Sequence, residues 1–346
     1  MTVALGEVRP RGALPLAHRA IAAALRNGLV TPADIHRFGV AVRDVSQSNA
    51  VALIELGNGS GVLAKSTQDP SKPGQGSAKQ ELDLYRLAAA EPSLQELVPE
   101  VFDATGRDGL LLIEGLVGYR PLHLAFGSFD PLDPELARAV GARLGAWHNA
   151  AVSLRHRLAP ADPWIFSLGS SEQLEVLDET PYRDVVATLL RTDSIMEAIR
   201  RCRSEWSDRT IIHGDMRFAN ILVQPQSTAV RFIDWEMSGS GDPRWDVAGV
   251  VQEYLSFDES ISAEVATLSG SRAEAGIGAF LRAYQGATGD DDVSESLATV
   301  VACRLALRAI QYGGWRHEAP EQLERHVELA QSAASGRFTL APTDAS

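Results

Sequence analysis

Residues 211–248 have the sequence IIHGDMRFANILVQPQSTAVRFIDWEMSGSGDPRWDVA, and the spacing of their polar groups decides how the chain is interpreted. An H-G-D triplet ends at Asp215, and Asn220 follows that aspartate after five residues. Asp234 then stands at the end of the apolar run V-R-F-I. An unpaired carboxylate in such a run is costly to bury, so the pattern predicts that a metal ion partners Asp234.

The residue types in this stretch predict distinct roles. Asn220 and Asp234 offer oxygen ligands that suit Mg²⁺, which prefers one or two protein groups beside phosphates and water. Asp215 is the candidate catalytic base, which would accept or orient the proton of an attacking hydroxyl. We expect His213 to brace the loop rather than to shuttle protons. Asp246, in the run GDPRWDVA, is expected to hold the loop through hydrogen bonds to its backbone.

Length and charge restrict the class of protein. The chain has 346 residues, of which 32 are basic and 45 acidic, so its formal net charge is −13. This length suits two lobes better than one compact domain. The negative charge argues against a binder of nucleic acids or of anionic membranes. The same charge would suit a cationic substrate, although solubility alone also explains it.

The sequence predicts a cytoplasmic protein. Its N-terminal residues, MTVALGEVRPRGALP, contain no apolar core of a secretory signal. No window contains the roughly 18 uninterrupted apolar residues that a membrane-spanning helix needs. Cys202 and Cys303 lack metal-ligand spacing and cannot build a disulfide framework, so we expect inert thiols in a reducing compartment.

The distribution of apolar residues predicts a β-rich part followed by a helical part. After two short helices, strands are expected at 38–45, 51–56, 62–66, 101–104 and 110–114, with one helix at 78–90. Further helices are expected at 135–151, 171–175, 182–203, 262–268, 274–284, 293–310 and 320–335. The predicted domains are an N-terminal helical extension (1–37), a small lobe (38–116), a large lobe (117–338) and a flexible tail (339–346).

Several blocks of the chain resemble known phosphotransferases. The protein kinase catalytic loop has the same five-residue step from Asp to Asn, with a metal-binding Asp on a following strand. The blocks HGDMRFAN, FIDWE, GDPRWDVA and LGAWHNA resemble those of the aminoglycoside phosphotransferase and choline kinase-like superfamily. The blocks VLAK, QELDLYRLA and LLIEGLVGYRPL resemble its small lobe, and the likeness extends over residues 38–315.

This resemblance implies a fold, a reaction and cofactors. The expected fold class is α+β, in a bilobal protein-kinase-like arrangement. The small lobe would contain a five-stranded antiparallel sheet and one helix, and the large lobe would be mostly helical. The expected reaction is transfer of the γ-phosphate of ATP to a hydroxyl group with the help of Mg²⁺, which makes the protein a kinase with an alcohol as acceptor.

The expected small lobe contains the predicted nucleotide contacts. Lys65, at the end of the third strand, would reach the α- and β-phosphates and pair with Glu81 on the following helix. Ser46, Ser48 and Asn49 link the first two strands, and their hydroxyl and backbone N–H groups would hold a phosphate, although a plain hairpin turn explains them as well. Backbone groups around Glu114 and Leu116 would hydrogen-bond adenine.

The acceptor stays open at this stage. A small molecule of the aminoglycoside or amino-alcohol type is the first hypothesis. A Ser/Thr residue of a precursor peptide, phosphorylated beside a partner lyase, is the second, and a pseudokinase that only binds nucleotide is the third. Acidic residues that would meet a cationic acceptor, or form a solvated face, are Glu236, Asp242, Glu253, Asp258 and Glu259. Aromatic residues that would line a pocket, or belong to the core, are Trp164, Phe166, Tyr254, Phe257, Tyr312 and Trp315.

Overall fold

The computed structural model forms two compact units. One contains Met1–Asp69 and Glu100–Val117, called here the sheet unit, and the other contains Pro70–Pro99 and Gly118–Ser346, called here the helical unit. The structure describes residues 16–46, 50–67, 77–124, 130–170, 183–225, 227–258, 271–290, 296–313 and 320–337. The domain limits drawn from the sequence remain a prediction.

The sheet unit is built around five antiparallel strands, as the sequence predicts. The strands are β1 (Val40–Asp44), β2 (Val51–Leu56), β3 (Gly61–Ser66), β4 (Val101–Asp103) and β5 (Leu110–Glu114). Their spatial order is β1-β2-β3-β5-β4, so β3 is the central strand. Alternate residues of β2 are buried, as expected for a strand with one face in the core. This confirms the predicted sheet.

The two N-terminal helices belong to the same compact unit as the sheet. Helix α1 (Leu16–Arg26) places three alanines in the apolar cluster of the strands, and helix α2 (Pro32–Phe38) begins with a capping box between Thr31 and Asp34. The buried residues that share the cluster are Ala20, Ala23, Ala24, Val30, Ala52, Ile54, Leu56, Val62, Ala64, Leu110 and Leu112. Small side chains on α1 allow close packing against the sheet.

The helical unit contains the other described helices. They are α3 (Ala78–Ala90), α4 (Pro92–Gln95), α5 (Pro134–Ala151), α6 (Arg183–Leu190), α7 (Asp193–Ser204), α8 (Arg244–Phe257), α9 (Arg272–Thr288), α10 (Leu297–Gly313) and α11 (Pro320–Ala334). Helix α5 packs along α9, and α10 packs against both α8 and α11. The sequence predicts most of these helices to within a few residues, because their apolar positions recur at helical spacing.

Two predictions about the helices were wrong. The single helix expected at 182–203 is divided into α6 and α7, because Thr192 adopts an extended conformation and begins α7 as its N-cap. Helix α8 was not predicted at all. Its residues from Trp245 to Leu255 are all buried, so it lacks the polar face that reveals a surface helix in a sequence. The helices expected at 171–175 and 262–268 lie outside the described residues.

Short strands of the helical unit hold the segment that the sequence singles out. Strand β7 (Thr210–Ile212) pairs with β10 (Gly239–Gly241), and β8 (Ile221–Val223) lies between β6 (Arg120–Pro121) and β9 (Val230–Phe232). The loop 213–220 therefore connects β7 to β8. A 3₁₀ turn at Trp235–Met237 follows β9. Both ends of the loop are anchored in hydrogen-bonded strands, which restricts its conformation.

The two cysteines are buried free thiols, as expected. The structure adds that they are neighbours: a hydrogen bond with Cys202 and burial raise the pKa of the Cys303 thiol well above its ordinary value. A thiol with a raised pKa holds little reactive thiolate, which fits an inert role. In the part of the chain that the structure describes, every helix is too short or too polar to span a bilayer.

Candidate active site

The loop 213–220 makes a sharp turn at Gly214, directly before the candidate base. This glycine has a φ of +84°, and a Cβ atom there would lie 2.3 Å from the carbonyl oxygen of Met237. Both the left-handed conformation and the close approach of the two backbones require glycine. The H-G-D triplet thus contains a glycine because no other residue fits between the loop and the Trp235–Met237 turn.

Asp246, at the start of α8, holds the beginning of this loop. Its carboxylate accepts hydrogen bonds from the backbone N–H groups of His213, at 2.6 Å, and Gly214, at 2.9 Å. It also lies 3.1 Å from Nε2 of His148, whose Nδ1 is 2.8 Å from the hydroxyl of Tyr284. Burial alone would raise the pKa of Asp246, but these hydrogen bonds and the two histidines hold it below its ordinary value. The carboxylate therefore remains ionised and keeps its acceptor role, and these contacts support the structural role expected for Asp246.

Arg304 of α10 holds the loop on both sides of Asp215. Its Nη1 donates to the carbonyl oxygen of Gly214 at 3.3 Å, and its Nη2 donates to that of Met216 at 3.2 Å. The guanidinium is buried and lies 5.0 Å from the ring centroid of Trp245. A Cβ at Gly249 would come within 2.5 Å of the Met216 carbonyl and 3.0 Å of Nη2, so this glycine makes room for the contact.

A second buried carboxylate completes the support of the loop. Oε2 of Glu253 accepts a hydrogen bond from the backbone N–H of Phe218 at 3.0 Å, and its Oε1 accepts one from Gln252 at 3.0 Å. The alternative that Glu253 belongs to a solvated face was wrong, because this side chain is buried, and a contact with a cationic acceptor remains a prediction. From the sequence, Arg304 is only a charge that interrupts an apolar stretch, so its role required the structure.

Asp215 has one occupied and one open carboxylate oxygen. Oδ2 accepts a hydrogen bond from Nδ2 of Asn220 at 3.0 Å and lies 2.9 Å from Nε of Arg217. Oδ1 makes no hydrogen bond to any described residue, and the side chain is 19% exposed. A carboxylate held at one oxygen and open at the other is oriented to accept the proton of an approaching hydroxyl.

Asn220 and His213 connect Asp215 to the second aspartate. Nδ2 of Asn220 also donates to the carbonyl of Asp215 at 2.9 Å, which leaves the amide Oδ1 without a hydrogen bond to the described residues. The carbonyl of Asn220 accepts the N–H of Ile233 at 3.1 Å, and Nε2 of His213 lies 2.8 Å from the Ile233 carbonyl. His213 is therefore protonated at Nε2, and its Nδ1 accepts the N–H of Asp215 at 3.3 Å. These contacts support the bracing role predicted for His213.

Asp234 lies in an acidic cluster that is suited to a cation. Its φ of +67° is left-handed, a conformation that non-glycine residues adopt rarely and often at functional sites. One carboxylate oxygen from each of Glu81, Asp234 and Glu236 can be chosen so that all lie within 4.8 Å of one another. The N–H of Ser77, the N-cap of α3, donates to the Glu236 carbonyl at 3.0 Å and links the helix to the turn.

The part of Glu236 in this cluster was not predicted from the sequence, which indicated Glu81 only as a partner of Lys65. The signal that would have found it is a second carboxylate two residues after Asp234 in the same turn. Tyr85 lies one turn after Glu81 on α3 and is fully buried. Burial raises the pKa of its hydroxyl well above the ordinary value, with the charges of Glu81 and Asp234 adding to the effect. The hydroxyl therefore remains neutral beside the acidic cluster.

The predicted nucleotide residues of the sheet unit occupy defined positions. Lys65 lies on the central strand β3, opposite Val51 and Leu111, and is only 5% exposed. A buried lysine needs a partner, and its pairing with Glu81 of the helical unit remains a prediction. Ser46 closes the turn after β1, since its Oγ accepts the N–H of Val51 at 2.9 Å. Ser48 and Asn49 lie outside the described residues.

The segment after β5 presents backbone groups, as the sequence predicts for adenine. Glu114 is the last residue of β5, and the next hydrogen bond of the sheet runs from the N–H of Gly115 to the carbonyl of Gly61 at 2.9 Å. Leu116 follows with a backbone N–H and C=O that form no backbone hydrogen bond to any described residue. Their use by a nucleotide remains a prediction.

The other residues proposed to meet the acceptor are mostly structural. Asp242 pairs with Arg244, with an Nη2–Oδ2 distance of 2.7 Å, and Asp258 accepts the N–H of Ala273 at 3.0 Å. Both carboxylates are buried, so neither belongs to a solvated face. Phe166 and Tyr254 are core residues, while Phe257 packs on Phe218. Trp164 is half-buried, Glu259 and Trp315 lie outside the described residues, and the side chain of Tyr312 is likewise not described.

Comparison with protein families gives one match over most of the chain. The model of a family described as "Phosphotransferase enzyme family" matches residues 42–292. This range contains the loop 213–220, the acidic cluster and the strands of the sheet unit except the first two residues of β1. No curated protein sequence matches the chain with significance.

Solved structures of low sequence identity share the fold. Choline kinase LicA from Streptococcus pneumoniae is 15% identical, with a TM-score of 0.57 over 92% of this chain and 99% of that chain. Plasmodium vivax ethanolamine kinase is 13% identical, with a TM-score of 0.56 over 90% and 86%. Amicoumacin kinase hAmiN, in complex with AMP-PNP, Ca²⁺ and Ami, is 15% identical, with a TM-score of 0.55 over 95% and 97%. These structures confirm the predicted α+β kinase-like fold.

Proposed function

The chain belongs to the phosphotransferase enzyme family, whose model matches well over half of it, and from this premise we propose that it transfers the γ-phosphate of ATP to a hydroxyl group of a small molecule. The observation that carries the proposal is that the Asp215 carboxylate is held at Oδ2 and open at Oδ1. Its loop hydrogen-bonds through Asn220 and His213 to Ile233, the residue before Asp234 of the acidic cluster. Nothing in the comparisons points to a peptide acceptor or to a partner enzyme.

In the proposed reaction Asp215 orients the acceptor. The acceptor hydroxyl donates its hydrogen bond to Oδ1, and its proton passes to that oxygen as the new bond to the γ-phosphorus forms. The bond from this phosphorus to the bridging oxygen breaks, and ADP leaves. Phosphoryl transfer depends mainly on positioning and charge neutralisation, so the rigid attachment of the loop 213–220 is part of the catalytic apparatus.

The acidic cluster fits a divalent cation. Glu81, Asp234 and Glu236 offer carboxylate oxygens, and the open Oδ1 of Asn220 offers an amide oxygen, which are the ligands that Mg²⁺ takes. A bound Mg²⁺ would neutralise phosphate charge. The solved relative that contains AMP-PNP and Ca²⁺ supports a nucleotide and a divalent metal for this chain as well. Asp234 and Asn220 are the proposed principal ligands.

Lys65 and the segment after β5 would serve the nucleotide. A lysine fixed on the central strand offers a positive charge for the α- and β-phosphates at a defined position. The backbone groups of Leu116 would hydrogen-bond adenine, whereas Ser46 already uses its hydroxyl within its own turn. We therefore propose Lys65 and Leu116, rather than Ser46, as the contacts of the sheet unit to test first.

The proposal is tested with two aspartate variants. Asp215→Ala should abolish ADP release with an acceptor pool yet keep Mg²⁺-dependent binding of ATP, because this carboxylate is not a proposed metal ligand. Asp234→Ala should lose both ADP release and Mg²⁺-dependent binding of ATP. Binding is measured by calorimetry with a non-hydrolysable ATP analogue, with and without Mg²⁺. Asp193→Ala, on the exposed start of α7, is the matched control and should change neither quantity.

The outcomes separate the proposal from its alternatives. An equal loss of nucleotide affinity in Asp215→Ala and Asp234→Ala would contradict the assigned roles. Tight binding of Mg²⁺ and the nucleotide analogue without turnover of any acceptor would favour the pseudokinase hypothesis. The acceptor pool should contain amino alcohols, hydroxy acids and Ser/Thr-containing peptides in parallel, so that each acceptor class is scored against the same Asp215→Ala blank.

A further inference from the structure

Arg217, two residues after the candidate base, has guanidinium N–H donors that the proposed reaction does not use. Its Nε lies 2.9 Å from Oδ2 of Asp215, but the N–H does not point at that oxygen, so the contact is an ion pair rather than a hydrogen bond. The terminal nitrogens donate to no described residue, and the side chain is 30% exposed. A guanidinium so placed presents several unused N–H donors beside the reacting carboxylate.

The charge of Arg217 is permanent. The carboxylate of Asp215 raises the pKa of its guanidinium further above the ordinary value, and Glu253 adds to the effect. Glu253 is itself committed to the backbone N–H of Phe218 and to Gln252. The acidic cluster of Glu81, Asp234 and Glu236 is the proposed metal donor set, so a bound cation would reduce its hold on Arg217. A further anion can therefore use this guanidinium.

Two further basic side chains, His123 and Arg308, lie in the surroundings of Arg217 and Glu253. Burial lowers the pKa of the His123 imidazole, and the charges of Arg217 and Arg308 act in the same direction, while a hydrogen bond with the Phe218 backbone and the charge of Glu253 oppose them. Nη2 of Arg308 lies 4.0 Å from Oε1 of Glu253. The charges of four carboxylates therefore act on Arg217, those of Asp215, Glu253, Asp234 and Glu236. Glu253 is already engaged, and a cation bound by Asp234 and Glu236 would neutralise part of their charge, so the unused donors of Arg217 suit an anionic group.

We propose that the acceptor carries a carboxylate or phosphate group and that Arg217 binds this group while the acceptor hydroxyl lies against Oδ1 of Asp215. The guanidinium fork matches both oxyanions, which accept two parallel N–H bonds from arginine. Arg217 forms an ion pair with the same carboxylate that accepts the proton. The anionic group of the acceptor must therefore lie only a few bonds from the reacting hydroxyl. Short hydroxy acids and phosphorylated polyols are the acceptor class. This inference rests on the proposed function.

The kinetic test compares pairs of alcohols in which one member carries a carboxylate and the other an ammonium group. Acceptor-stimulated ADP release is measured with 3-hydroxypropionate against 3-aminopropan-1-ol, and with glycerate against 3-aminopropane-1,2-diol. The acids should give the higher kcat/KM in the wild-type protein. Arg217→Gln should lower kcat/KM for the acids by about 10- to 100-fold, mainly through KM, as expected for a lost charged hydrogen bond. Arg217→Lys, which keeps the positive charge, should retain part of the wild-type kcat/KM for the acids. Arg201→Gln on α7 is the matched control and should leave this kcat/KM unchanged.

Two kinetic outcomes would overturn the inference. One is a preference for the amines in the wild-type protein. The other is an equal loss of kcat in Arg217→Gln for acids, amines and acceptor-free ATP hydrolysis. That second outcome would mean that Arg217 binds the transferred phosphoryl group rather than the acceptor, since the effect would then not depend on the charge of the acceptor.

A binding measurement separates this inference from the proposed function. Thermal unfolding is followed with Mg²⁺ and a non-hydrolysable ATP analogue, with each acid or amine added. The acids should raise Tm in the wild-type protein and in Arg201→Gln but not in Arg217→Gln. No Tm shift by any acid, or a shift that survives Arg217→Gln, would refute the anion site and leave the kinase proposal intact. A Tm shift that depends on Arg217, without any phosphorylated product, would refute the kinase proposal alone.

Discussion

The sheet unit and the loop 213–220 are stabilised by different kinds of interaction. The sheet unit holds its strands and α1 together through an apolar cluster around Ile54 and Leu112. The loop is held by Asp246, Glu253 and Arg304, three buried charged side chains that bind its backbone. Apolar packing is non-directional, so it tolerates small changes of shape. Charged hydrogen bonds are directional, and removal of one partner leaves the other buried and unsatisfied.

The largest effect is expected where a buried charge is removed. Asp246→Ala leaves His148 and two loop N–H groups without their acceptor, so the free energy of unfolding should fall by about 3–5 kcal/mol. Urea unfolding followed by circular dichroism measures this. Asp246→Asn, which keeps one acceptor oxygen, should lose less. A loss below about 1 kcal/mol in the alanine variant would show that the loop does not depend on this carboxylate.

Arg304 tests whether the loop needs its charged support for catalysis. Arg304→Met removes both hydrogen bonds around Asp215, so kcat for phosphoryl transfer should fall by about 100-fold, the equivalent of about 2.7 kcal/mol, with little change in KM for ATP. Arg304→Lys, which can donate to one carbonyl, should restore part of kcat. Arg138→Lys, on the exposed side of α5, is the control. If Arg304→Met lowers the free energy of unfolding but leaves kcat unchanged, Arg304 supports the fold and not catalysis.

His326 extends the comparison to pH. This buried side chain lies 2.8 Å from Ser256 of α8, and burial lowers its pKa to about 4. In the unfolded chain the pKa of this histidine is about 6.5. Between pH 6.5 and pH 4 the unfolded chain therefore binds more protons than the folded chain, so unfolding becomes more favourable as the pH falls. Stability should fall by about 2 kcal/mol between pH 7.5 and pH 5. Urea titrations at both pH values measure it, and His326→Gln should flatten the profile; an equal slope in the variant would contradict the prediction.

The smallest effect is expected in the sheet unit. Ile54→Val removes one buried methyl group from the apolar cluster, which should lower the free energy of unfolding by about 0.5–1.5 kcal/mol. Because the shape of the strand is preserved, kcat per folded molecule should not change. Thermal unfolding and steady-state kinetics on the same sample test both parts. A fall in kcat larger than that for Arg304→Lys would mean that catalysis depends more on the apolar cluster of the sheet unit than on the charged support of the loop.

The sequence predicted most of the fold because the patterns were local. The alternation in β2 and the helical spacing of α5 are visible within a few residues, so these elements were expected nearly where they occur. Helix α8 was missed because burial on every side removes that pattern. The break at Thr192 was missed because a capping residue inside a continuous helical pattern gives only a weak signal.

By itself, the sequence determined the chemical groups of the candidate site. The steps from Asp215 to Asn220 and Asp234 are spacings along the chain, and they indicated a base and two oxygen ligands because those residue types suit that chemistry. It also indicated that Asp246 would support the loop, which its hydrogen bonds to His213 and Gly214 agree with.

Only the tertiary structure decided how these groups are held and what surrounds them. Arg304 lies 90 positions along the chain from Gly214, and Glu81 lies more than 150 positions before Asp234, yet each pair meets in space. Packing of α10 and α3 produces these contacts, and no local pattern records them. The same applies to Arg217, whose unused donors are apparent only once its neighbours are known. The residue types of a site can be identified along the chain, whereas the charges that surround them depend on how distant segments pack together.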